Sequence, residues 1–236
     1  MFAAIVLFST WVILGIPVAI VTLPWAILSR NVLPLYRGAI WVVHSGLRLA
    51  GIRVEVLGRD SLDSSQHYLF FSNHVSNLDP PVLIPLLPER SSAFLKRSLM
   101  KIPVLGLGMR LANFIPVDRV GRVESAIESM EYATRVLASG VNVLSFVEGT
   151  RSRDGRLQPF KKGSFYLAMH SGAPIVPVSI FGTESMMKKG SVKIYPGTAH
   201  VVFHAPIRPQ DYASREDLTE AVRAAIASGL PEWMRA

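Results

Sequence analysis

Apolar and polar positions along the chain divide it into two parts. The first 29 residues are apolar or neutral, and Arg30 carries the first charged side chain. From residue 51 onward, short apolar runs alternate with segments of helical periodicity. This alternation predicts an α/β fold in which a mixed, largely parallel sheet is flanked by helices on both faces. We therefore predict N-terminal membrane-associating helices over residues 1–50 and a second domain over residues 51–236.

The apolar runs of the second part predict the strands of this sheet. They are IRVEVLG, HYLFF, SSAFLKR, NFIPV, VNVLSFV, PIVPVSIFG and HVVFHAPI. Helices are predicted after Pro80, from Glu124 to Ser139, in GSFYLAMHSG, and from a capping-box start at Ser214 to about Ser228.

The uncharged N-terminal segment is long enough to reach across a bilayer. A helix of 29 residues would measure roughly 43 Å, against a hydrocarbon layer of about 30 Å. Pro17 and Pro24 interrupt this segment and favour a kink or a break. Two interpretations stay open: one tilted or kinked span, or a hairpin-like insertion into one leaflet. A cleaved signal peptide is disfavoured because the segment lacks a basic n-region.

The segment 33–50 predicts a second helix with a polar stripe. Arg37, His44 and Arg48 fall on one side, while Ile40 and Leu47 fall on another. Such a helix either lies in the membrane interface or covers the core of the domain. The arginines that follow the apolar segment favour the cytoplasmic side.

Composition narrows the possible functions. The chain of 236 residues has a formal net charge of +8, which suits an anionic membrane surface or an anionic substrate. It contains no cysteine, which excludes thiol catalysis, disulfides and Cys-ligated zinc. No basic–aromatic or recognition-helix motif indicates nucleic acid. His200 and His204 lie on one predicted strand, where four residues span about 13 Å, so the two side chains are too far apart to share a metal ion. No cofactor is implied.

Three polar clusters each follow directly after a predicted strand. NHVSNLD follows YLFF, Asp118-Arg119 follows FIPV, and EGTRSRDG follows VLSFV. Ligands gather at the carboxyl ends of parallel strands, so we expect His74, Arg119 and the segment 148–151 to share one rim. Here His74 would accept a proton and Asp79 would orient its ring. Asp79 is also a good N-cap for a helix with Pro80 at its first position, and the other two clusters could be simple surface turns.

At these residues the chain resembles the glycerolipid acyltransferase family, specifically the 1-acyl-glycerol-3-phosphate (lysophosphatidic acid) acyltransferases. The resemblance runs from about Tyr68 to Val178 in four ordered blocks. NHVSNLD fits Asn-His-x-Ser-x-x-Asp, FIPVDR fits the second block, FVEGTRS fits Phe-Pro-Glu-Gly-Thr-Arg-Ser, and APIVPVSI fits the proline-bearing fourth. Val147 departs from the usual proline of the third block.

The resemblance implies a function in phospholipid synthesis. A fatty acyl group would pass from acyl-CoA or acyl-carrier protein to the sn-2 hydroxyl of lysophosphatidic acid, giving phosphatidic acid. The reaction would occur at the cytoplasmic face of the cell (inner) membrane, which the N-terminal helices would bind, with residues 51–236 as the catalytic domain.

The resemblance also assigns roles to individual residues. His74 is implied as the general base and Asp79 as the carboxylate that orients it. The implied substrate-binding residues are Asn73, Ser76, Arg119, Glu148, Gly149, Thr150, Arg151 and Lys161. Among these, Arg119 and Arg151 would hold the phosphate, since guanidinium presents paired donors to phosphate oxygens.

Three other functions stay open at this stage. The same fold could use another lysolipid acceptor. A membrane-bound esterase could use Ser76 or a water molecule with His74. A noncatalytic basic module could simply bind anionic lipid.

Overall fold

The computed structural model describes residues 2–88, 90–118 and 123–235, and within them every run predicted as a strand forms one. The strands are β1 Ile52–Leu57, β2 Leu69–Ser72, β3 Ser91–Lys96, β4 Ile115–Val117, β5 Asn142–Phe146, β6 Ile175–Phe181 and β7 Gly197–Phe203. The α-helices are α1 Phe2–Ser29, α2 Leu33–Leu49, α3 Asp79–Leu83, α4 Leu105–Leu111, α5 Val123–Ala138, α6 Lys162–Ser171, α7 Thr183–Met186 and α8 Arg215–Ser228.

The strands form one sheet in the order β1-β7-β6-β2-β5-β3-β4. The neighbours from β6 to β4 all pair in parallel, whereas β7 runs antiparallel to β6 and pairs in parallel with β1. The predicted mixed, largely parallel sheet is therefore confirmed. Its consequence for function is that the carboxyl ends of β6, β2 and β5 lie side by side in the middle of one edge.

Alternating side chains of the central strands fill two cores, one on each face of the sheet. Phe70 points into a cluster that α1, α2 and α3 cover, whereas Leu69 and Phe71 point into a cluster that α5, α6 and α8 cover. Each such side chain stabilises the fold by roughly 1.5–3 kcal/mol when it is fully buried. The central strands are thus held rigidly from both sides, which fixes the loops at their carboxyl ends.

Helix α1 packs antiparallel to α2 as a hairpin. Of the kink or break predicted at Pro17 and Pro24, the break does not occur, because α1 runs through both prolines as one helix. Its contact with α2 continues on either side of them: Trp11 packs against Gly46, where a Cβ atom would lie 2.3 Å from the indole nitrogen, and Ala26 shares a buried cluster with Leu35. This packing compensates for the helix hydrogen bonds that the prolines remove.

The side of α1 that faces away from α2 is apolar and exposed. Ile13, Ile20 and Leu28 expose 67%, 68% and 84% of their surface. Among the described residues, α1 is long and apolar enough to cross a membrane, so it could anchor the protein there. In α2, Leu47 is buried and Arg48 is exposed, which confirms an amphipathic helix that covers the core.

Candidate active site

Three neighbouring parallel strands each deliver a polar residue to the same edge of the sheet. His74 follows β2, Glu148 follows β5 and Thr183 follows β6. All three are buried, with 5%, 2% and 0% of their surface exposed. The expectation that His74 and the segment after β5 share one rim is therefore confirmed.

His74 and Asp79 form a hydrogen-bonded pair. The distance from His74 Nδ1 to Asp79 Oδ2 is 2.7 Å. The same carboxylate oxygen accepts hydrogen bonds from the main-chain N–H groups of Val75 and Ser76, at 2.7 and 2.8 Å. An oxygen surrounded by N–H donors acts as an acceptor, so Nδ1 carries the ring proton and Nε2 is left to accept one.

Asp79 does not cap α3, and the N-cap interpretation is wrong. The helix begins at Asp79, and its carboxylate turns back toward residues 74–76. Pro80 and Pro81 have no N–H group to offer a capping side chain, and the first available donor, Val82 N, bonds to Leu78 O at 3.0 Å. The proline pair therefore leaves the carboxylate unused by α3 and available to the catalytic loop, residues 73–79.

The main chain and ring of His74 are fixed by the end of β5 and the segment that follows it. His74 N donates to Glu148 Oε1 at 3.1 Å, and His74 O accepts from Ser152 N at 2.8 Å. The imidazole stacks on Phe146, with ring centroids 4.1 Å apart and an interplanar angle of 23°. These contacts restrict the ring to one position before any substrate arrives.

Asn73 and Ser76 use their side chains inside the protein. Asn73 Nδ2 donates to Ile180 O and Asn73 Oδ1 accepts from Ile180 N, both at 2.8 Å. Ser76 Oγ donates to Met187 O at 2.9 Å, and its residue is fully buried. These bonds give both residues a positioning role in the structure, while a direct contact with substrate stays a prediction.

Residues 147–151 turn sharply at the end of β5. Val147 N donates to Ser72 O at 3.1 Å, a bond that the family's usual proline would lack. Gly149 follows with φ +70°, and the stem of Lys161 lies over it, 3.1 Å from where a Cβ would be. Thr150 is exposed, and the main-chain carbonyl of the half-buried Arg151 accepts a hydrogen bond from Lys189 Nζ at 2.6 Å. The exposed or half-buried members of this group are accessible to solvent, while their contact with substrate stays a prediction.

The second predicted cluster lies at the far end of the same edge, after β4. Asp118 Oδ2 accepts hydrogen bonds from Arg97 Nε at 2.7 Å and from Ser125 Oγ at 2.9 Å. The hydrogen bond from Arg97 lowers the pKa of Asp118, and the bond from Ser125 adds to this effect. Arg119 lies outside the described residues, so its role as a phosphate ligand stays a prediction.

Burial raises the pKa of Glu148 to about 8. The hydrogen bond from His74 N lowers this pKa, and the nearby charge of Asp79 raises it further. An unfolded chain would release this proton near pH 4.5. Between pH 4.5 and about pH 8 the folded protein binds one proton more than the unfolded chain. Its free energy of unfolding therefore falls as pH rises, and this stabilisation is lost above about pH 8.

We therefore expect Glu148→Gln to weaken the decline of Tm between pH 6 and pH 9, measured by thermal unfolding in detergent. Glu220→Gln, which changes an exposed glutamate on α8, serves as the control and should leave the decline as it is in the wild type. A Glu148→Gln protein that retains the full decline of Tm would contradict the raised pKa of Glu148.

Thr183 is the site residue that the sequence analysis missed. Its Oγ1 donates to Asp79 Oδ1 at 2.5 Å. The signal was present, because Gly182-Thr183 follows β6 directly, just as Asn73-His74 follows β2. The rule that polar residues after parallel strands share one edge would have placed Thr183 on this edge, although not in contact with Asp79.

His200 and His204 do not converge. His200 Nδ1 lies 3.1 Å from Glu55 Oε2, while His204 Nε2 lies 2.8 Å from Ser179 Oγ. Among the residues that the structure describes, no three His, Cys, Asp or Glu side chains are grouped to hold a metal ion.

Comparison with known proteins supports the resemblance first seen in the four sequence blocks. A family model described as Acyltransferase matches residues 53–181. The 1-acyl-sn-glycerol-3-phosphate acyltransferase alpha of Mus musculus is 34% identical over 224 residues, which cover 94% of this chain and 74% of that protein. The 1-acyl-sn-glycerol-3-phosphate acyltransferase of Limnanthes douglasii is 32% identical over 222 residues, covering 91% and 75% respectively.

A solved structure has the same fold. It is the 1-acyl-sn-glycerophosphate (LPA) acyltransferase PlsC from Thermotoga maritima, with a TM-score of 0.80 and 24% sequence identity. The match covers 97% of this chain and 93% of that one. It therefore includes the helical hairpin as well as the sheet.

Proposed function

Because this chain belongs to the acyltransferase family, we propose that it transfers a fatty acyl group from an acyl thioester to the sn-2 hydroxyl of lysophosphatidic acid, giving phosphatidic acid. The observation that carries the proposal is the 2.7 Å bond between His74 Nδ1 and Asp79 Oδ2. It leaves Nε2 of a buried, immobilised imidazole as a proton acceptor at the edge of the sheet. The relatives from Mus musculus and Limnanthes douglasii, both named 1-acyl-sn-glycerol-3-phosphate acyltransferases, support the choice of acceptor.

In the proposed mechanism His74 acts as the general base. Nε2 takes the proton of the sn-2 hydroxyl while the hydroxyl oxygen attacks the carbonyl carbon of the thioester. General-base catalysis of this kind increases the rate by a factor of about 10²–10⁴. The new C–O bond forms, the C–S bond breaks, and the proton passes from Nε2 to the departing sulfur. Asp79 stabilises the imidazolium that exists between these steps.

A serine esterase is less well supported than a transferase. The hydroxyl of Ser76 is fully buried and donates to Met187 O, so it is directed away from a role as nucleophile. Hydrolysis by water activated at His74, or transfer to another lysolipid, would use the same base. These two alternatives are separated by the products they release.

The groups around the turn after β5, together with Arg119 after β4, are proposed to bind the acceptor. Arg119 and Arg151 would hold the phosphate, with Lys161 adding positive charge, while Glu148, Gly149 and Thr150 would shape the glycerol pocket. Arginine suits this role because its planar donors match two phosphate oxygens at once. The donor, acyl-CoA or acyl-carrier protein, is left open.

We expect Arg151→Ala and Arg119→Ala to raise the KM for lysophosphatidic acid by about tenfold or more, since each removes charge-assisted hydrogen bonds to phosphate. Steady-state kinetics with acceptor varied at a fixed concentration of thioester would measure this. Monoacylglycerol, which lacks the phosphate, is the control acceptor and should be insensitive to both changes. Arg135→Ala, at an exposed position of α5, is the matched control variant. An unchanged KM for lysophosphatidic acid would count against the phosphate assignment.

Membrane attachment is proposed to occur through the N-terminal hairpin. The exposed apolar side of α1 would enter the bilayer, and Arg30, Arg37 and Arg48 would favour the cytoplasmic side. This arrangement would bring the edge of the sheet that carries His74 to the membrane surface, where both the lipid substrate and the lipid product reside.

The function is tested with the purified chain of residues 1–236 in detergent or vesicles. Lysophosphatidic acid and a radiolabelled oleoyl thioester, supplied as the CoA and as the carrier-protein form, are incubated with the protein, and the labelled products are separated. Label in phosphatidic acid is the expected result. Label mainly in free fatty acid would replace the transferase by a hydrolase, and label only in another lipid when other lysolipids are supplied would change the acceptor.

A further inference from the structure

We propose that Thr183 is a positioning residue for the reaction, which fixes the rotation of the Asp79 carboxylate so that Oδ2 faces His74. The inference rests on the proposed function, in which His74 is the base. It adds a third side chain, supplied by a different strand, to the pair that the family motif contains.

The bonding of Asp79 carries the proposal. An ionised carboxylate has two oxygens and about four acceptor positions. Oδ2 accepts from His74 Nδ1 and from two main-chain N–H groups, whereas the hydrogen bond described to Oδ1 comes from Thr183 Oγ1, at 2.5 Å. Asp79 and Thr183 are both fully buried, so bulk water does not replace this hydroxyl. Without it, Oδ1 would lose its described donor, and the carboxylate would be held through Oδ2 alone.

The chain is shaped to bring Thr183 to this position. Gly182 adopts φ +90°, and a Cβ atom there would lie 2.3 Å from Thr198 O, so only glycine fits the turn between β6 and α7. That turn points Thr183 back toward the catalytic loop. A hydroxyl delivered by such a restricted turn has a fixed direction, which is what orienting a carboxylate requires.

The segment 180–187 contacts the catalytic loop at three points. Asn73 pairs with the main chain of Ile180, Thr183 bonds to Asp79, and Ser76 Oγ donates to Met187 O. The outer two contacts locate the segment relative to the loop. The central one falls on the carboxylate that contacts the base, so Thr183 acts on His74 through Asp79 rather than on the substrate.

Two pairs of variants separate the hydroxyl from the packing of the side chain. The first pair is the wild type and Thr183→Val, which removes the hydroxyl while keeping the shape of the side chain. Thr183→Ser and Thr183→Ala both remove the methyl group and differ from each other only in the hydroxyl. Ser185→Ala removes a nearby exposed hydroxyl, which bonds to Gly182 O and does not contact Asp79, and is the control.

The expected result is a fall in kcat of about 10- to 100-fold in Thr183→Val relative to wild type, and in Thr183→Ala relative to Thr183→Ser. The KM values for both substrates should stay unchanged, because Thr183 does not touch them. Thr183→Ser and Ser185→Ala should keep most of the wild-type kcat. The second pair preserves the test if Thr183→Val does not fold.

Equal kcat within each pair, or equal losses in Thr183→Ser and Thr183→Ala, would overturn the proposal, because the hydroxyl would then make no difference. A second readout does not depend on turnover. ¹⁵N spectra of histidine-labelled protein report the ring tautomer of His74. The signals of His74 are those that are absent from the spectrum of His74→Ala. We expect one tautomer in the wild type and a mixture in Thr183→Val, and identical spectra would also overturn the proposal. If the wild type makes no phosphatidic acid, the proposed function fails while these spectra still decide the role of Thr183.

Discussion

The His74→Ala protein is expected to form phosphatidic acid about 10²- to 10⁴-fold more slowly than the wild type. The substitution removes the proposed proton acceptor, Nε2, while the substrates keep their other contacts. The ring also stacks on Phe146 and bonds to Asp79, so its loss opens space beside this buried carboxylate. Initial rates of label transfer from a saturating oleoyl thioester to lysophosphatidic acid measure the change, which should appear in kcat.

His170→Ala provides the matched control, since it removes an exposed imidazole in the last turn of α6. Its rate should equal that of the wild type. Thermal unfolding of both variants in the same detergent separates a loss of chemistry from a loss of fold. Product formation by a folded His74→Ala protein at the wild-type rate would remove His74 from the mechanism.

Asp79→Asn is expected to lower kcat by at least about 10²-fold, in line with the large cost of the same change in a Ser–His–Asp triad. The amide oxygen would turn toward the three donors on residues 74–76, because an amide NH₂ group there would face N–H groups. His74 would then keep a hydrogen bond but lose the negative charge that stabilises its imidazolium. The loss should fall on kcat, since the buried Asp79 is not expected to contact either substrate.

Asp60→Asn changes an exposed aspartate outside the motif, in the turn after β1, and should leave kcat unaltered. Both variants would be assayed over a range of pH in the same lipid mixture. If Asp79→Asn retained more than about a tenth of the wild-type kcat, charge stabilisation by Asp79 would contribute little, and the carboxylate would act mainly through the loop it organises.

The part of the site that could be predicted is the part that depends on local pattern. Apolar runs located the strands, and polar residues directly after them located His74 and Glu148. Parallel pairing of β2 with β5 then brought these two together, as expected for neighbouring strand ends. Sequence order does not reveal that β6 is the other neighbour of β2, so the contact between Thr183 and Asp79, 104 positions apart, was missed.

Other predictions failed because one residue type supports more than one structure. The Asp79-Pro80 pair is typical of a helix N-terminus, yet the second proline, Pro81, removes a donor that a cap would use. Pro17 and Pro24 would favour breaking an isolated helix, yet α1 continues through them because it packs along α2. In the first case a neighbouring residue decided the outcome, and in the second case tertiary contacts did, which periodicity does not encode.

The reciprocal bonds between the side chain of Asn73 and the main chain of Ile180 also bear on how the protein ages. Deamidation of an asparagine requires the following main-chain nitrogen to attack the side-chain carbonyl carbon. Here the amide is held at both ends by Ile180, and the nitrogen of His74 donates to Glu148 Oε1. The two reacting groups are thus kept apart by separate partners, so the fold that arranges the active site also shields its asparagine from spontaneous chemical damage.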